Sequence, residues 1–152
     1  MNRWMAIARD EAKAGMEANE GGPFGAVIVK DGEIIARAHN GVLKTNDPTA
    51  HAEINAIREA SRKLETFDLS GCILYTTSFP CPMCMGAILW ARIPTVYYGA
   101  SMEEAARGGF DDAHFYDALK DPKTAIDLHM LESEESQELF SLWLDKEDRE
   151  LY

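Results

Sequence analysis

The sequence predicts a single α/β domain whose mixed β-sheet carries helices on its faces. The segment GAVIVKDGEIIARAHN contains two strand-like runs around an Asp-Gly turn at residues 31–32, which is typical of a β-hairpin. After this hairpin, helical patterns alternate with short apolar runs, as they do when helices pack on a sheet. A chain of 152 residues has the length of one domain, and it contains no linker, repeat or low-complexity segment.

Each predicted element has a local signal in the sequence. Residues 2–18 form the first helix because Trp4, Ile7 and Ala8 fall near one face, and EGGPFG ends it. After the hairpin, apolar periodicity and the positions of proline and glycine predict the remaining elements. In chain order these are a helix over 49–64, a buried strand CILYTTS at 72–78, a helix in PCPMCMGAILWARI that Pro80 opens, a strand TVYYGA at 95–100, short helical pieces at 102–107 and 111–120, a fifth strand in TAIDLHML, and an acidic helix over 134–150.

The formal net charge of −11 is unevenly distributed along the chain. Residues 1–100 carry ten Lys and Arg against eleven Asp and Glu, whereas residues 101–152 carry five against fifteen. A protein that follows nucleic-acid phosphates needs a basic stripe, and the sequence shows none. This distribution favours a small or neutral partner over a nucleic acid.

The sequence predicts a cytoplasmic protein without a membrane span. No apolar run reaches the roughly 18 residues that a span requires. The N-terminal segment alternates apolar and charged residues at helical spacing, which differs from a secretory signal. With three cysteines and no export signal, disulfides are not expected.

The first motif with candidate chemistry is His51-Ala52-Glu53, which opens the predicted helix after Asp47-Pro48. In the middle of a helix, residues i and i+2 point about 200° apart. His51 and Glu53 can therefore converge only on something that lies beyond the helix end. A metal ion with a bound water would be such a target.

The second motif is Pro80-Cys81-Pro82-Met83-Cys84. If Pro80 opens a helix, Cys81 and Cys84 share one face of its first turn. A helix N-terminus lowers the pKa of a thiol and so favours the thiolate that binds a metal.

The two motifs together supply three metal ligands and one further acid. A structural zinc site usually has four protein ligands, whereas a catalytic site leaves one position to water, for which Glu53 would be the proton carrier. The pattern H-x-E…P-C-x-x-C is the signature of zinc-dependent nucleobase deaminases. Two alternatives remain open: a redox dithiol would leave His51 and Glu53 unexplained, and a non-catalytic zinc module would leave Glu53 unexplained.

With these motifs, the chain resembles the cytidine-deaminase-like superfamily and is most similar within it to bacterial guanine deaminases. The resemblance covers nearly the whole length and rests on GGPFGAVIVKDG, NDPTAHAEINAIR, CPMCMGAILWAR and GFDDAHFY. The first three segments are partly shared with transfer-RNA adenosine deaminases and cytosine deaminases, and GGFDD is more selective. The resemblance implies a three-layer α-β-α sandwich with a five-stranded mixed sheet. It also implies hydrolytic deamination of free guanine to xanthine with release of ammonia.

The same resemblance implies roles for individual residues. His51, Cys81 and Cys84 would hold one Zn²⁺ per subunit, and Glu53 would shuttle protons. The residues that would contact or cover the purine are Phe24, Asn40, Ala52, Asp112 and Tyr152. The family also implies a homodimer in which the C-terminal segment, about residues 133–152, crosses to the partner, so that Tyr152 closes the partner's active site.

Some of these residues have structural alternatives, and one position departs from the family pattern. Phe24 could fill the core, Asn40 could form a turn, and Asp111 or Asp112 could cap the helix that follows. Phe79 stands before Pro80, where guanine and transfer-RNA deaminases usually have Glu and cytosine deaminases tend to have Ser. A phenyl ring cannot accept a hydrogen bond from an amino group. Another amino-heterocycle, such as cytosine or an aminotriazine like ammeline, therefore remains an alternative substrate, and a transfer-RNA adenosine is less favoured.

Overall fold

The computed structural model describes residues 2–131 and 133–152. The chain divides into two compact units, of which the first ends at Tyr116 and the second runs from Asp117 to Tyr152. Among the described residues, no helix is both long and apolar enough to cross a membrane.

The first unit holds all four strands of the described chain. The strands are β1 (Gly25–Lys30), β2 (Glu33–His39), β3 (Cys72–Ser78) and β4 (Thr95–Ala100). The helices that begin in this unit are α1 (Arg3–Glu17), α2 (Val42–Thr45), α3 (Ala52–Leu64), α4 (Pro82–Trp90), α5 (Met102–Arg107) and α6 (Asp112–Ala118). The second unit contains a 3₁₀ turn at Pro122–Thr124 and helix α7 (Ser133–Asp145).

The sheet is mixed, as the sequence predicts, with the strand order β2-β1-β3-β4. Strand β1 pairs antiparallel with β2 and β3, and β3 pairs parallel with β4. A parallel pair needs a crossover connection, and α4 supplies it between β3 and β4. As a result, α4 begins at the carboxyl end of β3.

The predicted fifth strand is wrong. After the turn at Pro122–Thr124, the chain through Leu131 has no regular structure. Its alternating apolar side chains remain exposed, for example Ile126 at 62% and Met130 at 86%. A strand is stable only when a neighbour satisfies its backbone groups, and this segment pairs with no strand among the described residues.

The hairpin turn between β1 and β2 agrees with its sequence. Asp31 and Gly32 both have positive φ, at 50° and 77°. This is the conformation that a two-residue hairpin turn requires, and Asp-Gly adopts it at low cost. The paired residues Lys30 and Glu33 close the turn.

Helices cover both faces of the sheet, so the first unit has three layers. Alternate residues of β1 point to opposite faces. Val27 and Val29 belong to the core cluster on the α1 side, whereas Ala26 and Ile28 belong to the cluster that includes side chains of α3 and α4. The layered part of the prediction is therefore correct for this unit.

A polar network joins α1 to the end of β2. The imidazole of His39 bonds through Nδ1 to Glu11 at 3.0 Å and through Nε2 to Glu20 at 2.6 Å. Arg37 bonds Glu11 at 2.5 Å, and Lys44 bonds Glu20 at 2.9 Å. Burial opposes the charged imidazole, but the hydrogen bonds to Glu20 and Glu11 outweigh it and raise the pKa of His39 above its usual value.

This network predicts that the protein loses stability as the pH rises through the pKa of His39. The charged imidazole contributes fully below the unfolded-chain pKa of about 6.5 and stops contributing above the higher folded-state pKa. As the pH rises above about 6.5, the urea midpoint of the wild type should therefore fall relative to that of a His39→Gln variant. An exposed histidine changed in the same way, His129→Gln, serves as the control and should follow the wild type. An equal decline in all three proteins would contradict the prediction.

Candidate active site

A cluster of three ligand side chains lies where α3 and α4 begin. The ligand atoms of His51, Cys81 and Cys84 all lie within 4.8 Å of one another. His51 Nδ1 is 3.5 Å from each of the two sulfur atoms. The structure thus brings together the two motifs that are 30 residues apart in the sequence.

The helices begin one residue after His51 and one residue after Cys81. His51 and Cys81 are the N-cap residues of α3 and α4, and both have extended backbones. This corrects two expectations, because His51 precedes the first turn and Pro82, rather than Pro80, occupies the first helical position. A cap residue points beyond the helix end, and this direction lets His51 reach the cysteines while Glu53 remains inside the first turn.

The donor set fits a zinc ion. Two thiol groups and one imidazole are ligands that Zn²⁺ prefers, and three protein ligands leave one position open. The hydrogen bond from the Cys84 thiol, with further help from His51, lowers the pKa of Cys81 to about 4. This direction favours a thiolate at the cluster, which is the form that binds a metal.

Glu53 lies beside this cluster and is buried. Its Oε1 accepts a hydrogen bond from Thr76 Oγ1 at 2.9 Å, and its Oε2 lies 3.4 Å from Cys84 Sγ. Burial raises the pKa of the Glu53 carboxyl group above its usual value. A raised pKa makes this carboxyl group better able to hold and deliver a proton than an ordinary exposed glutamate.

The cluster opens into a pocket of about 440 Å³. This volume is typical of small-molecule sites. Six residues that the sequence predicts for the site line the pocket: Phe24, Asn40, His51, Glu53, Cys81 and Asp112. The other lining residues are Gly21, Gly22, Val42, Leu43, Pro48, Ser78, Phe79 and Phe110.

Asn40 is held rigidly at the pocket wall. Its backbone amide donates to Phe24 O at 3.0 Å, and its Oδ1 accepts from Val42 N at 3.1 Å. Asn40 therefore also forms the turn before α2, in addition to facing the pocket. A Cβ on Gly21 would lie 2.1 Å from Asn40 Oδ1, so only glycine allows this close approach.

An aromatic pair forms another part of the wall. The rings of Phe24 and Phe110 meet edge to face, with centroids 4.8 Å apart and an interplanar angle of 84°. Such pairs contribute stability beyond the area that they bury. Phe24 therefore both packs on a neighbour and faces the pocket.

The two neighbouring aspartates have different positions. Asp111 Oδ1 accepts from His114 N at 3.4 Å, which places it as the cap at the start of α6. Asp112 lines the pocket, and burial raises the pKa of its carboxyl group. The structure thus assigns the capping alternative to Asp111 and leaves Asp112 at the site.

The sequence also predicts contacts to the base from Ala52 and Tyr152. The side chain of Ala52 is fully buried in the core cluster, so that only its backbone amide, at the start of α3, faces the helix end. Tyr152 belongs to the second unit and is 70% exposed. The roles of both residues stay predictions.

Sequence reasoning missed Thr76, Ser78 and Phe110. Thr76 and Ser78 are two residues apart on β3 and therefore share one face of the strand. This spacing could have indicated two hydroxyl groups near the cysteine helix. Phe110 stands directly before the aspartate pair in GFDD, and its pairing with Phe24 depends on a contact across 86 residues that no local signal reports.

A helix-covered mixed sheet that brings together a His/Cys/Cys cluster and a buried glutamate defines the class of zinc-dependent deaminases. Residues 1–100 match the family described as the cytidine and deoxycytidylate deaminase zinc-binding region. The chain belongs to this family, as its motifs predict.

Two relatives cover the chain to different extents. The guanine deaminase of Bacillus subtilis is 46% identical over 140 residues, which are 91% of this chain and 90% of that protein. The transfer-RNA-specific adenosine deaminase of Aquifex aeolicus is 50% identical over 97 residues, which are 64% of each chain. An X-ray structure of the Bacillus subtilis guanine deaminase superimposes with a TM-score of 0.95 at 44% identity, and it covers 100% of this chain and 99% of that one.

The site geometry predicts that zinc content depends on the three clustered side chains. Replacement of Cys84 by Ser removes a soft ligand, so that purified protein should contain much less zinc than the wild type, measured by mass spectrometry of the metal. Cys72→Ser is the matched control, because Cys72 is buried like Cys84 but lies on β3, outside the cluster. Equal zinc loss in both variants would indicate a general effect on folding and contradict the site.

Proposed function

We propose that the protein is a zinc-dependent hydrolase that converts free guanine and water to xanthine and ammonia. The observation that supports this proposal best is the buried Glu53 beside the His51, Cys81 and Cys84 cluster, at the base of a pocket large enough for one nucleobase. The similarity to the Bacillus subtilis guanine deaminase, which extends over nearly both chains, supports the choice of substrate.

His51, Cys81 and Cys84 would hold one Zn²⁺ per subunit. When bound, the ion supplies a Lewis acid that makes water a nucleophile near neutral pH. The protein contributes a ligand set that is already assembled, since the three donor atoms lie within 4.8 Å of one another. Three protein ligands would leave one coordination position open.

Glu53 moves the protons of the reaction. Thr76 Oγ1 donates to Oε1 and so orients the carboxyl group, and Oε2 lies 3.4 Å from Cys84 Sγ, on the side of the ligand cluster. The carboxylate takes a proton from the attacking water and delivers one to the amino group of the base, which leaves as ammonia. Because burial already favours the protonated form of Glu53, it is suited to act as the acid in the second step.

The walls of the pocket would recognise the base. Phe24 offers a ring surface for stacking, and its packing on Phe110 fixes that ring. Asn40, whose Oδ1 already accepts from Val42, offers amide hydrogens to a carbonyl oxygen of the base. Asp112 would accept from a ring N–H group.

The Glu53→Gln variant tests the proposed mechanism. Glutamine keeps the size of the side chain but cannot transfer the proton. The rate of ammonia release from guanine should therefore fall by about 10²- to 10⁴-fold. Zinc content and the unfolding midpoint should stay close to those of the wild type, because Glu53 is outside the ligand cluster. Glu59→Gln on the same helix is the matched control and should retain activity. Unchanged turnover in Glu53→Gln would refute the role of Glu53.

A second candidate substrate class follows from Phe79. The ring of Phe79 lines the pocket, so this wall offers no carboxylate to an amino group of the base. Deamination of another small amino-heterocycle, such as cytosine or ammeline, is therefore the alternative. A panel of guanine, cytosine, adenine, their nucleosides and ammeline, followed by ammonia release, decides between the two.

We further propose that the protein acts in the cytoplasm as a homodimer in which residues 133–152 of one subunit reach the other. Helix α7 carries large apolar side chains that are exposed in the single chain, including Leu139 at 66% and Phe140 at 71%. An exposed apolar stripe of this kind is typical of a surface that another chain covers. In the dimer, Tyr152 would cover the base in the partner's pocket.

Deletion of Leu151 and Tyr152 tests the tail. The deletion should raise KM for guanine at least several-fold and leave the unfolding midpoint unchanged, because both residues are exposed. Tyr152→Phe keeps the aromatic ring and serves as the control with near-normal KM. Mixing the deletion variant with Glu53→Gln should restore part of the activity if the tail acts on the partner. A truncated protein with wild-type kinetics would remove Tyr152 from the site.

A further inference from the structure

Ser78 presents a buried hydroxyl group for which the protein supplies no partner. The residue is only 6% exposed, and it lines the pocket beside Glu53. Among the described residues, Ser78 Oγ is the one buried side-chain oxygen or nitrogen that lacks a hydrogen-bond partner. Native proteins satisfy almost all buried polar groups, so an exception inside a binding pocket calls for a functional explanation.

The position of Ser78 on β3 directs it toward the reacting groups. Side chains at every second residue of a strand share a face, so Ser78 and Thr76 point to the same side of the sheet. Thr76 Oγ1 donates to Glu53 Oε1 on that side. Ser78 lies about 7 Å further along the strand, toward the carboxyl end at which the cysteine helix begins.

The backbone around Ser78 is fixed on both sides. Ser78 pairs with Ala100 of β4, and the next amide, Phe79 N, donates to Ala100 O at 2.9 Å. On the other side, Thr77 Oγ1 accepts from Gly25 N at 3.1 Å. The backbone of Ser78 is therefore held in place before a ligand arrives, so that only the side-chain rotamer remains to be ordered by a bond to that ligand.

Because of the neighbouring residue Phe79, the Ser78 hydroxyl matters more for hydrogen bonding at this part of the pocket wall. The Phe79 ring also lines the pocket and packs edge to face on Tyr98, with centroids 5.1 Å apart. A phenyl ring neither donates nor accepts an ordinary hydrogen bond. Of the two residues at this wall, only Ser78 can bond the polar edge of a flat heterocycle.

We propose that Ser78 Oγ hydrogen-bonds the nitrogen-bearing edge of the bound nucleobase and is a further substrate-binding residue of this enzyme. The inference rests on the proposed deaminase function. The hydroxyl can donate to an unprotonated ring nitrogen or accept from an amino group. Its bond to the base would satisfy in the complex the group that the free protein leaves without a partner.

The test compares guanine binding to Glu53→Gln protein with and without the additional change Ser78→Ala. The dissociation constant of guanine, measured by calorimetry, should rise about 3- to 12-fold, the size of one neutral hydrogen bond. In the otherwise native enzyme, Ser78→Ala should raise KM by a similar factor and change kcat less than about twofold. Its unfolding temperature should equal or exceed that of the wild type, because the substitution removes a buried hydroxyl without a partner.

Cys72→Ala provides the matched control, since Cys72 is buried on the same face at the opposite end of β3. This variant should lose stability and keep the KM of the wild type. An unchanged dissociation constant in the Ser78 variant, or a fall in its unfolding temperature like that of Cys72→Ala, would overturn the role of Ser78. If guanine binds the Glu53→Gln protein but the wild type releases no ammonia, the proposed reaction is wrong. The comparison of dissociation constants then still shows whether Ser78 contacts the base. If guanine does not bind at all, both proposals fail.

Discussion

The convergence of two helix N-termini on one point is the constraint on which the rest of the structure depends. His51 and Cys81 are the caps of α3 and α4, and the sheet holds these caps so close that His51 Nδ1 is 3.5 Å from both sulfur atoms. The positive ends of two helix dipoles thus meet where thiolates and a carboxylate are needed. Neither motif could form the site alone, because each supplies too few ligands. The parallel pairing of β3 with β4 therefore has a functional consequence, since it places the start of α4 at this edge.

The burial of Glu53 makes sense only together with the cluster beside it. A buried carboxylate without compensation is costly, and here the fold supplies one hydrogen bond from Thr76 and the nearby Cys84 thiol. A bound cation would deprotonate the cysteine thiols and offset the accumulated negative charge. The same burial that costs stability in the free protein raises the pKa of Glu53 toward the range in which it can exchange protons. Stability and chemistry are thus coupled through a single group of side chains.

The sequence predicts those parts of the fold and the site that depend on local signals. Asp31-Gly32 specifies its turn by backbone preference, and the cysteine spacing predicts two ligands on one helix start. The alternating residues of TAIDLHML, 124–131, resemble a strand equally well, yet this segment pairs with no strand among the described residues, and pairing is a non-local property. Phe110 was missed for the same reason, because its role depends on contact with a distant Phe24. Local patterns thus predict elements and ligands, whereas pairing and pocket walls require the assembled fold.

The family match includes the ligand cluster but only part of the pocket wall. The family match ends at residue 100 and contains the ligand cluster and Glu53, and the Aquifex aeolicus adenosine deaminase shares a stretch of similar length, 97 residues. Phe110 and Asp112 lie beyond that boundary and line the pocket of the first unit. A protein can therefore keep the zinc and proton machinery unchanged while different residues after β4 alter the shape and charge of the pocket. Under the proposed function, the wall that Phe110 and Asp112 add after β4 would be the part of the pocket that can change substrate choice without changing the ligand cluster.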